Sequence, residues 1–136
     1  MKPRRYFDHI DLRVKDRVRA QAFYAQILPA LGFALDESGE KWGAFQAPPS
    51  GGQATEFFGF TEDREHRPNE SRIAFWAESP ADVDRIAVIV KAAGGRNLEG
   101  PQLWTEYTPG YYALFFEDPD GNKFEICHRE RAIVAE

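Results

Sequence analysis

Apolar and polar residues alternate over residues 6–14. Ile10, Leu12 and Val14 fall on one face, and Phe7, His9, Asp11 and Arg13 on the other. A period of two predicts a strand with one face covered. The period then lengthens to that of a helix, with Phe23, Tyr24, Ile27, Leu28 and Leu31 recurring behind Asp16, a residue suited to capping the first turn. Pro29 predicts a kink in the last turn, and Gly32 predicts its end. Three short strands are predicted next, over 33–36, 42–47 and 54–60. Gly39 and the cluster from Pro48 to Gly52 supply the turns between them. In the last of these strands Glu56 shares a face with Ala54, Phe58 and Phe60, a carboxylate in an apolar strand.

Residues 61–70 are polar and charged and read as a linker, after which the pattern starts again. Arg72, Ala74 and Trp76 alternate with Ile73, Phe75 and Ala77. Ser79-Pro80-Ala81-Asp82 then opens a helix: a capping hydroxyl, a proline at the first helical position and an acid at the positive end of the dipole. Val83, Ile86, Ala87 and Val90 form its apolar stripe, Gly94-Gly95 stops it, and a short strand is predicted over 96–98. Residues 111–117 and 123–128 form a hairpin around Asp118-Pro119-Asp120-Gly121-Asn122, where proline presets φ, glycine accepts positive φ and the Asp and Asn side chains bond nearby amides. Glu125 lies in mid-strand on the return, sharing a face with Lys123 and Cys127. An unpaired charge out of water is costly, so a buried Glu125 requires a partner.

The chain is thus an internal repeat of strand, helix and three strands. The two halves correspond in chemistry as well as order: His9 and Arg72 open the first strands, and Glu56 and Glu125 stand beside phenylalanines in the last. Two such halves side by side are expected to bring these four residues onto one concave sheet surface, with the helices behind it.

Composition narrows the classes. Hydrophobic residues make up 43% and aromatic residues 14% of the 136 positions, enough for a core in one domain of two small modules. A net charge of −5 argues against nucleic acid or an anionic membrane as partner. A single cysteine, Cys127, excludes an intrachain disulfide and fits a reducing compartment. No apolar run reaches the length of a membrane span or forms a signal-peptide core, so a cytoplasmic protein is expected.

Four stretches carry a family resemblance: Phe7-Asp-His-Ile-Asp-Leu-Arg-Val14, Phe23-Tyr24 with Leu28 and Leu31-Gly-Phe33, Arg72-Ile-Ala-Phe75, and Phe116-Glu-Asp-Pro-Asp-Gly-Asn-Lys-Phe-Glu125. Over residues 6–128 the chain resembles the vicinal oxygen chelate superfamily, which includes glyoxalase I, bleomycin- and fosfomycin-resistance proteins and extradiol dioxygenases. The resemblance implies an α+β fold of two βαβββ modules, about 5–60 and 71–128, forming a cup around a divalent metal. It also implies one metal ligand from each of four strands. His9, Glu56 and Glu125 fall on three of those positions, and Arg72 falls on the fourth, where histidine is common.

Arginine offers donors only and cannot ligate a metal. Two arrangements are therefore open. His9, Glu56 and Glu125 hold Ni, Zn, Fe, Mn or Mg with water in the open positions, or the guanidinium replaces the metal by pairing with Glu56 or Glu125. The first implies a metal-dependent lyase or isomerase acting on a substrate with adjacent oxygens, with Glu125 or Glu56 as the base. A dioxygenase is expected to have the second histidine that is absent here. The second implies a metal-free module, as in drug-sequestering relatives, that binds a small molecule through Arg72 and an aromatic cup of Phe58, Trp76, Trp104, Tyr107 and Tyr111. A homodimer with a small-molecule ligand is expected in either case. Cys127 and His128 read as structural residues, and His66 as part of the exposed linker.

Overall fold

A computed structural model describes residues 5–49 and 51–130. They fall into two compact units, divided along the chain between Arg67 and Pro68. In module one β1 (His9–Val14) leads through Asp16 into α1 (Arg17–Ile27), where the Asp16 carboxylate accepts from the amide of Arg19 at 3.0 Å. The helix tightens into a single 3₁₀ turn at Pro29–Leu31 and stops at Gly32, whose φ of +107° is open to glycine at no steric cost. Then come β2 (Leu35–Ser38), β3 (Trp42–Gln46) and β4 (Phe57–Glu62). Strand order is β1-β4-β3-β2, with β1 and β4 parallel and the other pairs antiparallel.

Module two repeats this plan. Its elements are β5 (Arg72–Trp76), α2 (Pro80–Ala93), β6 (Arg96–Leu103), β7 (Tyr112–Glu117) and β8 (Lys123–His128), ordered β5-β8-β7-β6 with β5 and β8 parallel. Ser79 caps α2 by accepting from the amide of Asp82. Among the described residues no helix is long and apolar enough to cross a membrane.

In each module the helix covers one face of the sheet, and the core forms between them. Tyr24 of α1 lies 5.1 Å from the Phe58 ring and 5.2 Å from Phe60, and all three side chains are almost wholly buried. In module two Val83, Ile86 and Val90 of α2 are buried with Leu114, Phe124 and Ile126 of the sheet. Burying a side chain of this size contributes about 1.5–3 kcal/mol.

The register corrects two sequence expectations. The last strand of module one begins at Phe57 and runs to Glu62, so Ala54, Thr55 and Glu56 precede it. Matching His9↔Phe57 in module one with Arg72↔Lys123 in module two then makes Gly59 the counterpart of Glu125, not Glu56. The strand predicted over 96–98 extends to Leu103, interrupted by two register shifts against β7.

Glu62 ties the end of β4 to α1 and β3. Its carboxylate accepts from the amide of Arg17 and from Lys41 Nζ, both at 2.9 Å, and Arg64 approaches to 3.6 Å. The Arg17 amide first, then Lys41, hold its carboxyl down to about 2 from an ordinary 4.5. A carboxyl lowered by folding stabilises the fold above its unfolded value, and the contribution is lost as pH falls through the folded value. The gap between wild type and Glu62→Gln in urea denaturation should therefore be full above about pH 4.5 and close as the pH falls towards 2. A gap equal at pH 3 and pH 7 would contradict the assigned contacts.

Candidate functional site

Alternation along β8 sends Phe124 and Ile126 into the core under α2 and leaves Lys123, Glu125 and Cys127 on the helix-free face. Across the ladder Glu125 pairs with Ala74 of β5 on one side and with Phe115 of β7 on the other. Glu125 is only 6% exposed, a carboxylate in the interior. Its partner is Tyr111, whose hydroxyl donates to Oε2. Burial first, and then this bond to Glu125, pushes the Tyr111 phenol well above its ordinary range, so it remains the donor at neutral pH. Burial likewise raises the Cys127 thiol. It stays protonated, as suits a small buried filler rather than a nucleophile.

An aromatic layer closes over this carboxylate. Trp104 stands edge-on to Phe115 at 4.9 Å, and its indole N–H donates to the carbonyl of Ala113 at 3.0 Å. Tyr107 lies 5.1 Å from Tyr111 and 6.3 Å from Phe115, and about half of it is exposed. The Arg72 guanidinium sits over the Phe115 ring, 4.6 Å from its centroid. Arg72 is exposed, and among the described residues no carboxylate pairs with it. Within module two the alternative of an Arg72–Glu125 ion pair is not formed: the phenol of Tyr111 holds Glu125, and a ring face holds the arginine.

Each of the other predicted site residues has its own surroundings within its module. Trp76 is half exposed and leans on His128 at 5.0 Å, while His128 Nδ1 lies 2.9 Å from the carbonyl of Ala77. Phe58 is 1% exposed in the core beneath α1 and lines no open face, because its parity in β4 points it at Tyr24. Glu56 is exposed ahead of β4 and takes part in the fold through its carbonyl, which accepts from the amide of Ala47. His9 stacks on Phe57 at 4.4 Å with the rings 4° from parallel, and its Nδ1 lies 2.8 Å from Asp8 Oδ2. A carboxylate only accepts, so Nδ1 is the donor of this bond. That bond, more than the nearby Arg5, lowers the Asp8 carboxyl. Sequence reasoning left Asp8, Phe115 and the Tyr111–Glu125 bond unassigned. The only signal for the last was the need of a buried Glu125 for a partner.

A sequence model of the Glyoxalase/Bleomycin resistance protein/Dioxygenase superfamily matches residues 6–126. The chain belongs to that superfamily. It is 32% identical over 121 residues to the uncharacterized protein YqjT of Bacillus subtilis, covering 87% of this chain and 94% of that one. Among solved structures it is similar to a glyoxalase/bleomycin resistance protein from Albidiferax ferrireducens, with a TM-score of 0.73, 27% identity, and 91% and 98% of the two chains covered. The fold is also shared with a mutant of the fosfomycin resistance protein FosX from Listeria monocytogenes, complexed with Mn(II) and a dihydroxypropylphosphonic acid. That match has a TM-score of 0.65 at 24% identity and covers 89% and 87% of the chains.

That FosX mutant is complexed with Mn(II), and the family resemblance implied a divalent metal for this chain, so its own donors are the test. Among the described residues no three His, Cys, Asp or Glu side chains converge as metal ligands. In module two the acid is engaged by a phenol, the thiol is protonated and the neighbouring cation is donor-only. In module one the position equivalent to Glu125 is Gly59, which has no side chain. Taken alone, neither module brings three such donors together among the described residues.

Proposed function

We propose that this superfamily member binds a small organic anion without a resident metal, on the helix-free face of module two. Arg72 is the anion contact, and Phe115, Trp104, Tyr107 and Trp76 are the wall for an apolar body. The observation that carries this reading is the Arg72 guanidinium over Phe115, without a carboxylate partner among the described residues, at a position where superfamily members commonly place a ligand histidine. The ring anchors the guanidinium, whose exposed planar fork suits bidentate contact with a carboxylate or phosphonate. Glu125 does not compete for that edge, because Tyr111 already holds it. Tyr111 also fixes Glu125 in place beneath the wall, so the floor under a ligand is preorganised.

Calorimetric titration with benzoate and with phenylphosphonate tests the reading. Arg72→Ala should weaken binding tenfold or more, the equivalent of one charge-assisted bond of about 1.5–3 kcal/mol. Its stability should fall by only about 0.5–1 kcal/mol, the worth of an exposed cation–π contact. Unchanged affinity would end the proposal. Stoichiometric divalent metal in the purified protein, lost on His9→Ala, would replace it with the metal-dependent lyase or isomerase reading.

A further inference from the structure

The end of the module-two sheet carries a cavity that the anion site does not use. Residues 68–70, the last part of the linker before β5, form one wall. The turn at Gly121 and the strand-end residues Arg96, Glu117 and Lys123 form the others. None of the aromatic residues around Arg72 lines it, and Pro68 is its one apolar side chain. Its volume is about 330 Å³, room enough for a molecule the size of an amino acid.

Two devices hold the linker against the turn. A Cβ on Gly121 would meet Pro68 Cγ at 3.1 Å, and φ there is +90°, a conformation that glycine adopts at no steric cost. Glycine thus lets the proline ring come close. Asn69 Oδ1 accepts from the amide of Ser71 at 2.7 Å, which fixes the backbone around Glu70.

Five charged side chains line this cavity, and three of them are engaged. Glu117 accepts from the Asn97 side chain at 3.0 Å and faces Lys123 Nζ at 3.6 Å. Asp120 is 7% exposed and engaged within the fold. Arg96 and Glu70 are left. Arg96 is tied to the turn, with Nη1 donating to the carbonyl of Pro119 at 3.0 Å, but no carboxylate pairs with it among the described residues. Glu70 likewise has no cation partner among them. The two opposite charges line one cavity without pairing with each other, one tied to the turn and the other to the linker.

We propose that this cavity binds a small zwitterion, an amino acid whose carboxylate meets Arg96 and whose ammonium group meets Glu70. The guanidinium fork suits a carboxylate, and a free carboxylate accepts from the ammonium donors. A simple anion or cation would leave one of the two charges unanswered, so a molecule carrying both is favoured. The polar lining offers no surface for a large apolar body.

Titrating isotope-labelled full-length protein with glycine, 4-aminobutyrate, acetate and methylammonium at constant ionic strength, followed by amide NMR shifts, tests this. Glycine or 4-aminobutyrate, which differ in the spacing of their charges, should give saturable shifts at Asn69, Arg96 and Gly121. Acetate and methylammonium should not. Glu70→Gln and Arg96→Gln, both changes at exposed positions, should each weaken the zwitterion about tenfold. Arg72→Ala should bind it at wild-type strength while losing benzoate, so this site and the anion site fail independently. No saturation by either amino acid, equal shifts from acetate or methylammonium, or full-strength binding by either of the two cavity variants would each overturn the proposal.

Discussion

Tyr111→Phe should destabilise the protein by about 1–3 kcal/mol at neutral pH, the range for leaving one buried polar group unsatisfied. The variant keeps the ring and its contact with Tyr107 but removes the donor to Glu125, which is almost fully buried. The phenol of Tyr111 is raised above its ordinary value of 10.0 by burial and by Glu125. A group whose folded pKa is raised contributes stability that is whole below its unfolded value and is lost as pH rises through the folded one. The difference between wild type and Tyr111→Phe in urea denaturation should therefore be constant from pH 7 to about 10 and shrink in stronger alkali. Glu125→Gln provides the control, since an amide oxygen still accepts from Tyr111 and its loss should be smaller. Equal stability of Tyr111→Phe and wild type at pH 7 would show that Glu125 is satisfied by something else.

Much of the architecture was legible because it is written in local periods. The alternation through Ile10, Leu12 and Val14, the caps at Asp16 and Ser79, and the turn after Glu117 each specify their element within a few residues, and each forms as expected. The error at Glu56 has an equally local cause. Phe57, Phe58 and Phe60 are all apolar, so alternation alone does not say which of them faces the helix. Extending the strand back to residue 54 set the face by Glu56 rather than by the ladder, and a slip of one residue exchanges the two faces of a strand. In the structure Phe57 joins His9 while Phe58 and Phe60 join Tyr24.

The site was legible only in its anomalies. Glu125 stood out as a carboxylate among buried residues, and Arg72 as a cation where a ligand histidine was expected. Where each side chain goes depends on contacts distant in sequence. Tyr111 lies 14 residues from Glu125, and Arg72 reaches a ring more than forty residues along the chain, so no periodic pattern records either partnership. The same is true of Gly59, whose correspondence to Glu125 appears only when β4 is laid beside β8.

Asp118→Ala should be the most damaging single change near the site, although it touches neither Arg72 nor Glu125. Asp118 is 1% exposed, and its Oδ1 accepts from the amides of Asp120 and Asn122, both at 2.9 Å. Its Oδ2 accepts from the Asn122 side chain at 2.9 Å, and its own amide donates to the carbonyl of Asn122. Gly121, with φ of +90°, completes the reversal. Alanine strips acceptors from three donors in a turn that water reaches poorly, a cost on the order of 3 kcal/mol. Asp118→Asn, which keeps a side-chain oxygen for the amides, should lose much less. The functional consequence comes through register: this turn sets Glu117 opposite Lys123 and hence Phe115 opposite Glu125. A slip of one residue would send Glu125 towards α2 and bring Phe124 or Ile126 out beneath the aromatic layer. Asp118→Ala should therefore lose stability and benzoate affinity together, whereas Arg72→Ala loses affinity with only a small loss of stability. If Asp118→Ala melts well below wild type but still binds benzoate at full strength below its melting point, the turn serves stability only and the register of β8 is held by the sheet itself.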